Sequence, residues 1–395
     1  MSTALEIVFW IACALIAWTQ LGYAAALSLI ARLRSRPSET PHARTSGEAT
    51  KNRDLAPALP TLSLIIAAHD EQSVIAAKVA NALALDYPRE LFEVIVACDG
   101  CSDATAAHAR QAGADVVLEL ARGGKIRAQD AAVQRARSEI VAFSDANALW
   151  EPDAARVLVA AFEDPRVGYA CGHVRFVQAA SGTNAGNQEG VYWRYEMAVR
   201  AHESRLSSIT AGNGAIYATR RSAYIVVDPI MGHDLSLPFN MVKRGLRAVY
   251  VPAARASEKM VPSLGGEFAR KRRMMSHTWP ILLRGGILSP RGYPPGYALM
   301  IVSHRLLRYT SPFLHALALA ANVALVALNA GPLYDVTLAL QLALLLAAAL
   351  AGAAPVRPLL IARYYVLTTA SPAAGLWDWL RHGTEAVWEA AEGTR

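Results

Sequence analysis

The chain has 395 residues, of which 53% are hydrophobic, and its formal net charge at pH 7 is +7. A mean hydropathy of +0.22 at this length excludes a protein that lies entirely in water, and it indicates that part of the chain is embedded in lipid. The basic excess is typical of cytoplasmic loops that face anionic lipid. We therefore predict a membrane partner and no nucleic-acid partner.

A charge-free segment near the N-terminus predicts a membrane anchor. Residues 7–31 contain no charged side chain, and this length can span a bilayer core of ~30 Å. A cleaved signal peptide is the alternative. However, residues 1–6 carry no Lys or Arg, and the apolar run is longer than the roughly 7–15 residues of a signal-peptide core. We therefore predict a transmembrane anchor at 1–31, followed by a basic linker at 32–58.

Two further charge-free segments predict membrane spans near the C-terminus. Residues 311–334 and 336–356 contain no charged side chain, and a Gly-Pro turn separates them. Residues 359–377 form a third candidate, which Arg363 interrupts and Pro372 shortens. This third segment could cross the membrane, re-enter it or lie in the interface, and we leave the alternatives open.

The distribution of arginine predicts the orientation of the chain in the membrane. Each predicted span has arginine on one side, and the opposite ends have neither Lys nor Arg. Positively charged loops stay in the cytoplasm, so residues 32–310 are predicted to be cytoplasmic in a multi-pass protein of the inner membrane. The arginines that set this orientation are Arg32, Arg34, Arg36, Arg305, Arg308 and Arg357.

Four carboxylates each follow a short apolar run in the central part of the chain. They are Asp70, Asp99, Asp145 and Asp234. Helical stretches separate the runs, so the first three are predicted to be successive strands of a parallel sheet, at residues 62–67, 94–98 and 140–144. Because ligands bind outside the carboxyl ends of such strands, the acidic cluster predicts a site for a divalent metal and a phosphorylated ligand.

Two short motifs add to this predicted site. Gly123 and Gly124 allow close approach of the backbone, and Lys125 opens a predicted helix whose N-terminus favours an anion, so a phosphate is predicted here. Asp145 and Asn147 offer oxygen ligands two residues apart, which suits Mg²⁺ or Mn²⁺. Ordinary helix-entry chemistry is the alternative for Asp145 and Asn147, and ordinary turn and capping chemistry is the alternative for the turn from Asp99 to Asp103.

Six weak motifs follow one another between residues 62 and 275. They are Ala67-Ala68-His69-Asp70-Glu71, Asp99 to Asp103 with Thr105, Gly124-Lys125, Asp145-Ala146-Asn147, Gly212-Asn213-Gly214-Ala215 and His233-Asp234-Leu235. In this order they resemble the membrane-anchored family-2 glycosyltransferases of bacterial polysaccharide assembly. The resemblance implies a GT-A fold, an α/β domain that binds a nucleotide sugar and carries a metal site and a catalytic Asp.

The resemblance also implies how the donor, a nucleoside-diphosphate sugar, would bind. Asp70 and Asp99 would hold the nucleobase and ribose, and Lys125 would neighbour the diphosphate. Asp145, with Asn147 in the place of the last Asp of the DxD motif, would bind Mg²⁺ or Mn²⁺, with an affinity that is lower or shared with another ligand. The donor-binding residues are then Asp70, Glu71, Asp99, Lys125, Asp145, Gly212, Asn213 and Gly214.

By the same resemblance, Asp234 is the catalytic base. It would take the proton of the acceptor hydroxyl in one displacement that inverts the anomeric carbon. The alternative from the residues alone is an N-cap for a helix over 235–243. His233 stands where the family has an acidic neighbour of the base, so the ionisation of this pair is expected to respond to pH.

A basic segment stands where the family has its QxxRW motif. Arg270 and Arg273 would contact the acceptor or the diphosphate, whereas Met274 takes the place of the Trp that supports the growing chain in processive synthases. The missing Trp favours transfer of a single sugar. Five basic residues further along could contact lipid headgroups or a lipid-linked diphosphate, or could simply snorkel from interfacial helices. They are Arg284, Arg291, His304, Arg305 and Arg308.

These features predict an inverting, metal-dependent glycosyltransferase that adds one sugar to a lipid-linked glycan acceptor at the cytoplasmic membrane face, in envelope or exopolysaccharide synthesis. A processive polysaccharide synthase and an inactive GT-A-like membrane scaffold are the alternatives. The oligomeric state is left open. The predicted segments are an anchor at 1–31, a linker at 32–58, a GT-A domain at 59–280, interfacial helices at 281–310, two to three transmembrane helices at 311–377 and a tail at 378–395.

Overall fold

The computed structural model describes residues 2–34, 59–177, 185–259, 264–354 and 356–386. Most of the predicted linker and the end of the predicted tail lie outside these ranges. The described strands are β1 (Leu62–Ala68), β2 (Phe92–Asp99), β3 (Val116–Leu120), β4 (Ile140–Asp145), β5 (Leu149–Trp150), β6 (Val167–Val177), β7 (Tyr217–Arg220) and β8 (Arg247–Lys259).

The helices surround one sheet and extend from it at both ends of the chain. Those before and within the sheet are α1 (Ser2–Ala17), α2 (Tyr23–Arg34), α3 (Ile75–Leu83), α4 (Thr105–Gln111), α5 (Lys125–Arg135), α6 (Ala154–Ala160), α7 (Ala185–Leu206) and α8 (His233–Lys243). Those after it are α9 (Leu264–Leu283), α10 (Pro295–Met300), α11 (Leu307–Ala327), α12 (Pro332–Leu350) and α13 (Arg357–His382).

The eight strands form a single sheet in the order β3-β2-β1-β4-β7-β6-β8-β5. The first four in this order are parallel, and only β7 and β5 oppose the common direction. Ala67 pairs with Ala97 on one side and with Asp145 on the other, so the carboxyl ends of β1, β2 and β4 lie side by side. The predicted, mostly parallel α/β sheet is confirmed.

Strand β1 shows why its sequence is a continuous apolar run. All seven of its residues are buried. Leu62, Leu64 and Ile66 pack into one apolar core, and Ile65 and Ala67 pack into a second core on the opposite face. Helices therefore cover both faces of the strand, which is the usual environment of a central parallel strand. The polar loops that follow such strands are left as the part of the sheet that a ligand can reach.

Within the described ranges, three helical segments are long and apolar enough to cross a membrane. They are Ser2–Arg34, Pro295–Ala327 and Pro332–Leu350. The first two contain π-helical turns, at Trp18–Gly22 and Ile301–Leu306. The second runs without interruption through residue 310, the predicted boundary between interfacial and transmembrane helices. These apolar helices support membrane association of the chain.

Helix α13 contains the segment whose relation to the membrane was left open. It is not one of the three apolar segments of the described chain. Instead it packs along α9, where Trp279 donates its indole N–H to the Pro372 carbonyl over 2.8 Å and Arg272 forms an ion pair of 2.6 Å with Asp378. This packing ties the end of the chain to the helix that carries the predicted acceptor arginines.

Candidate active site

The end of β2 is joined to the start of α5 by Asp99. This carboxylate is 1% exposed, and it accepts the backbone N–H groups of Gly123 over 2.6 Å and Gly124 over 2.9 Å. Gly124 has a φ of +96°, a conformation that suits glycine, and α5 begins at the next residue. Asp99 therefore holds the turn that leads into the predicted phosphate-binding helix.

The loop after β1 is held against the loop after β2. Asp70 has a φ of +50°, and its carboxylate accepts the Ser102 N–H over 2.8 Å. This hydrogen bond lowers the pKa of Asp70, so the group is ionised at neutral pH. Glu71 is buried, and its backbone N–H donates to the Thr105 hydroxyl over 2.7 Å. The predicted nucleoside-binding residues thus lie together at adjacent strand ends.

Lys125 and Asp145 form an ion pair at the centre of the candidate site. Burial favours the neutral amine of Lys125, but the negative charges of Asp145, Asp234 and Glu258 outweigh it and raise the pKa of the lysine. A Cβ atom on Gly214 would lie 3.3 Å from Lys125 Nζ and 3.5 Å from Asp145 Oδ2. The structure therefore brings together residues from α5, β4, the loop before β7 and the start of α8.

Asp234 lies in the first turn of α8, which begins at His233 with Gly232 as its N-cap. No side chain caps this helix, so the alternative in which Asp234 is the cap is not observed. The backbone N–H of Gly212 donates to the Asp234 carbonyl over 2.6 Å. Within the described part of the chain, the half-buried Asp234 carboxylate has no hydrogen-bond or ion-pair partner, so it can accept a proton from a ligand.

Gly212 and Asn213 shape the loop between α7 and β7. The Asn213 amide donates to the Gly172 carbonyl over 2.8 Å and accepts the N–H of Ile216 over 2.9 Å. A Cβ on Gly212 would clash with the Tyr169 hydroxyl oxygen, so a larger residue does not fit. These two residues hold the backbone in place, and it is Gly214 that lies beside the Lys125 and Asp145 pair.

Comparison with known proteins identifies the family. The family model described as Glycosyltransferase like family 2 matches residues 60–276, more than half of the chain. The chain belongs to this family. The matched region includes the whole sheet and reaches into α9, so it contains all the candidate residues described above. The predicted membership of family 2 is confirmed.

Curated relatives of this family 2 glycosyltransferase include two proteins named N-acetylglucosaminyltransferase. The one from Neorhizobium galegae is 24% identical over 249 residues, which cover 58% of this chain and 57% of the relative. The one from Rhizobium sp. strain N33 is 25% identical over 289 residues, which cover 69% and 63% of the two chains. The family 2 glycosyltransferase thus spans less than two thirds of the length of either relative.

A solved structure shares the fold over almost the full length. It is a mannosyltransferase from Pyrobaculum calidifontis in complex with GDP-Man and Mn²⁺, with a TM-score of 0.67 and 23% sequence identity. The similarity covers 95% of this chain and 99% of that chain. The GT-A fold of the family 2 glycosyltransferase is therefore confirmed, together with the presence of helices outside the GT-A sheet.

His233 corrects one expectation about the glycosyltransferase site. Its Nδ1 lies 2.9 Å from the Tyr217 hydroxyl and its Nε2 lies 3.2 Å from the Tyr224 hydroxyl. Tyr224 donates its own hydrogen to Asp130, so it accepts from Nε2–H, while Tyr217 donates to Nδ1. Burial lowers the pKa of His233 to about 3. The expected pH response of the pair with Asp234 is therefore wrong near neutral pH, because the imidazole stays neutral.

The two predicted acceptor arginines lie on α9 in different environments. Arg270 donates to both carboxylate oxygens of Glu267, over 2.8 and 2.9 Å. Arg273 is exposed, and within the described ranges its guanidinium has no hydrogen-bond or ion-pair partner. The charges of Arg273 and Asp234 both act on His277, one turn further along α9. Arg273 is therefore the better placed of the two to meet a ligand.

Two charged residues near the site belong to none of the predicted motifs. Lys78 on α3 is fully buried and donates to the Ala148 carbonyl over 2.5 Å, beneath the turn that carries Asp145. Burial lowers the pKa of Lys78 to about 7, although Asp145 and Glu258 oppose the shift. The sequence does not indicate that Lys78 is buried beneath the Asp145 turn, because it is a single Lys within an apolar helical pattern. Glu258 lies on β8, and no motif surrounds it.

Proposed function

We propose that this family 2 glycosyltransferase moves one sugar from a nucleoside-diphosphate sugar to a lipid-linked glycan acceptor at the cytoplasmic face of the inner membrane, with inversion of the anomeric carbon. The observation that carries the proposal is the Asp234 carboxylate, which has no hydrogen-bond or ion-pair partner among the described residues and lies close enough to Lys125 for its charge to raise the pKa of the lysine. This arrangement sets a proton acceptor beside a group that can hold a diphosphate.

In the proposed donor complex, the nucleoside lies at the adjacent ends of β1 and β2, where Asp70, Glu71 and Asp99 contact it. The diphosphate lies at the N-terminus of α5, beside Lys125. For it to do so, Asp99 must share or release the N–H groups of the Gly123-Gly124 turn. The names of the relatives and of the solved neighbour make nucleotide-linked N-acetylglucosamine and GDP-mannose the first two donors to assay.

The residues of the turn after β4 fit a hard divalent cation. Asp145 and Asn147 offer a carboxylate and an amide oxygen from one half-buried turn, and Mg²⁺ and Mn²⁺ prefer oxygen ligands. A bound cation would supply neutralisation of the charge on the leaving diphosphate. Lys125, which is held in its charged form, adds positive charge at the same place. Neutralisation from both sides makes the nucleoside diphosphate a better leaving group.

Proton transfer in the proposed reaction belongs to Asp234. Its carboxylate takes the proton of the acceptor hydroxyl as that oxygen attacks the anomeric carbon, and the bond from this carbon to the diphosphate oxygen breaks with its electron pair. A single in-line displacement inverts the anomeric carbon. His233 does not change its charge near neutral pH, because burial holds the imidazole neutral, and its one N–H faces the Tyr224 hydroxyl.

We predict that the product carries one added sugar per acceptor molecule. Met274, which is 43% exposed on α9, offers no aromatic surface to support the end of a growing glycan. With the donor in excess, mass spectrometry of the lipid-linked products should show a single mass increase of one sugar residue. A ladder of many added sugars would support the processive alternative instead, and an absence of both donor hydrolysis and transfer would support the inactive scaffold.

We predict that the GT-A domain faces the cytoplasm. Cysteine would replace Val226, which is 69% exposed on the GT-A domain, or Leu333, which is 53% exposed in the first turn of α12. The background would lack the four native cysteines. A membrane-impermeant maleimide should label Leu333→Cys in intact cells and Val226→Cys only after lysis, since positive loops stay inside. Labelling of Val226→Cys in intact cells would show the opposite orientation.

A further inference from the structure

A buried polar cluster joins the GT-A domain to both apolar ends of the chain. At its centre lies Glu203 of α7, whose side chain is fully buried. The carboxylate accepts the Tyr23 hydroxyl of α2 over 2.7 Å and the backbone N–H of Thr210 over 3.0 Å. His304 Nδ1 lies 2.7 Å from the same carboxylate. We call Tyr23, Glu203, Thr210, His304 and Arg305 the interface cluster.

The basic side of the interface cluster comes from the apolar segment Pro295–Ala327. His304 and Arg305 lie in its π-helical turn, and both are buried. Arg308, one turn later, forms an ion pair with Glu196 of α7. These side chains face the protein and its acids, so the alternatives of lipid headgroup contact and of snorkelling from interfacial helices, both considered for His304, Arg305 and Arg308, do not describe them here.

Burying the charged groups of the interface cluster within an apolar segment costs folding free energy, so their presence indicates a role. Charged side chains are rare within apolar spans, and a buried ion pair often stabilises a fold less than apolar packing would. A π-helical turn adds one residue to a helical turn and is frequently found at functional sites. The Tyr297 hydroxyl, on the helix just before this turn, also donates to the Ile209 carbonyl over 3.0 Å. The span is thus fixed to one particular loop.

That loop begins at Thr210 and ends at the candidate active site. Arg305 Nε donates to the Thr210 hydroxyl over 2.8 Å, and this hydroxyl in turn lies 3.1 Å from Glu203 Oε2, to which it donates its hydrogen. Two residues further along, Gly212 donates to the Asp234 carbonyl over 2.6 Å. Gly214 lies beside Lys125 and Asp145. A short, hydrogen-bonded stretch of backbone therefore connects the span to Asp234.

We infer that Thr210 is a positioning residue for the transfer reaction. Its hydroxyl is hydrogen-bonded to Arg305 of the apolar span and to Glu203 of α7. These bonds fix the loop that contacts the first turn of α8, and the loop in turn fixes the position of Asp234. The inference rests on the proposed role of Asp234 as the base. If Thr210 has this role, the position of the proposed base depends on how the GT-A domain packs against the apolar span.

The test compares Thr210→Val with Thr210→Ser in the full-length protein. Valine keeps the shape but removes the hydroxyl, whereas serine retains the hydroxyl for Arg305 and Glu203. A small displacement of a reacting group can cost about 10²-fold in rate, so we expect Thr210→Val to lower kcat by about 10–100-fold. The donor KM and the calorimetric donor affinity should stay within about twofold of wild type. Thr210→Ser should restore most of kcat.

A matched control separates positioning from general destabilisation. Thr219 on β7 is equally buried, and its hydroxyl donates to the Gly168 carbonyl over 2.7 Å, away from the loop. Thr219→Val should lower the thermal midpoint about as much as Thr210→Val and leave kcat unchanged. An equal loss of kcat in both valine variants, or wild-type kcat in Thr210→Val, would overturn the inference.

The Asp234→Asn variant distinguishes this inference from the proposed function. If Thr210 acts through Asp234, adding Thr210→Val to Asp234→Asn should cost little more activity, since the two effects share one step. A silent Asp234→Asn variant would remove the proposed base, and the positioning role with it. A slow Asp234→Asn variant beside a normal Thr210→Val variant would leave the proposed function standing and reject the positioning role alone.

Discussion

Asp234→Asn should lower the rate of sugar transfer by roughly 10²–10⁴-fold, because a general base contributes about this factor and an amide cannot take the acceptor proton. The affinity for the donor should stay close to that of wild type, since the base acts only in the transfer step. Folding should also be retained, because no side chain caps α8 and the carboxylate makes no hydrogen bond within the described chain. The measurements are the transfer rate, the calorimetric donor affinity and the thermal midpoint.

Asp228→Asn provides the matched control for this experiment. Asp228 is an exposed carboxylate six positions earlier, and its Oδ1 accepts the Ile230 N–H over 3.1 Å, a bond that asparagine can retain. This control should transfer sugar at the wild-type rate. If Asp234→Asn also retained the wild-type rate, Asp234 would not be the base, and Glu258 would become the candidate, because burial holds His233 in its neutral form with Tyr217 as the donor to its Nδ1.

Asp145→Ala should abolish the dependence of donor binding on Mn²⁺. The variant removes the only carboxylate of the proposed metal-binding turn, so the donor affinity measured with Mn²⁺ should fall by at least about tenfold, or about 1.4 kcal/mol. The folded state should persist, because Asp145 is half-buried at the end of β4 and is not part of the apolar core. Calorimetric titration of the nucleotide sugar with and without Mn²⁺ measures the effect.

Two comparisons sharpen the Asp145 experiment. Asp86→Ala removes a carboxylate from an exposed pair with Arg156 and should leave the metal dependence unchanged. Lys125→Met removes the other half of the central ion pair and should weaken donor binding both with and without Mn²⁺, because it takes away a positive charge that is independent of the cation. Retained Mn²⁺ dependence in Asp145→Ala would show that the cation binds elsewhere.

The sequence alone determined the α/β sheet and the apolar ends of the chain. Buried parallel strands need apolar residues on both faces, so β1, β2 and β4 are readable as continuous runs with a polar residue at each end. Parallel strands also present their carboxyl ends at one edge, so the convergence of Asp70, Asp99 and Asp145 follows from their positions after these strands. The three apolar helices are likewise visible from composition and length.

The sequence did not determine the protonation or the hydrogen-bond partners of individual side chains, because these depend on neighbouring residues from other elements. His233 reads as a pH-sensitive residue until Tyr217 and Tyr224 are seen to enclose it. Asn213 reads as a ligand contact until its amide is seen to bond the backbone at Gly172 and Ile216. The spacing of the sequence does not show the contacts with Tyr217, Tyr224 and Gly172, since each of these partners lies outside the helix or loop of the residue that it contacts.

Only the tertiary structure decided how the membrane segment meets the catalytic domain. Arg305 and Thr210 are 95 residues apart, and their contact exists because polar side chains of α7 and of the apolar span meet beside the loop before β7. Sequence periodicity reports which face of a helix is apolar, but it does not report which element covers that face. From the sequence, Arg305 and Glu203 could face solvent or lipid. The tertiary structure shows that both side chains are buried together.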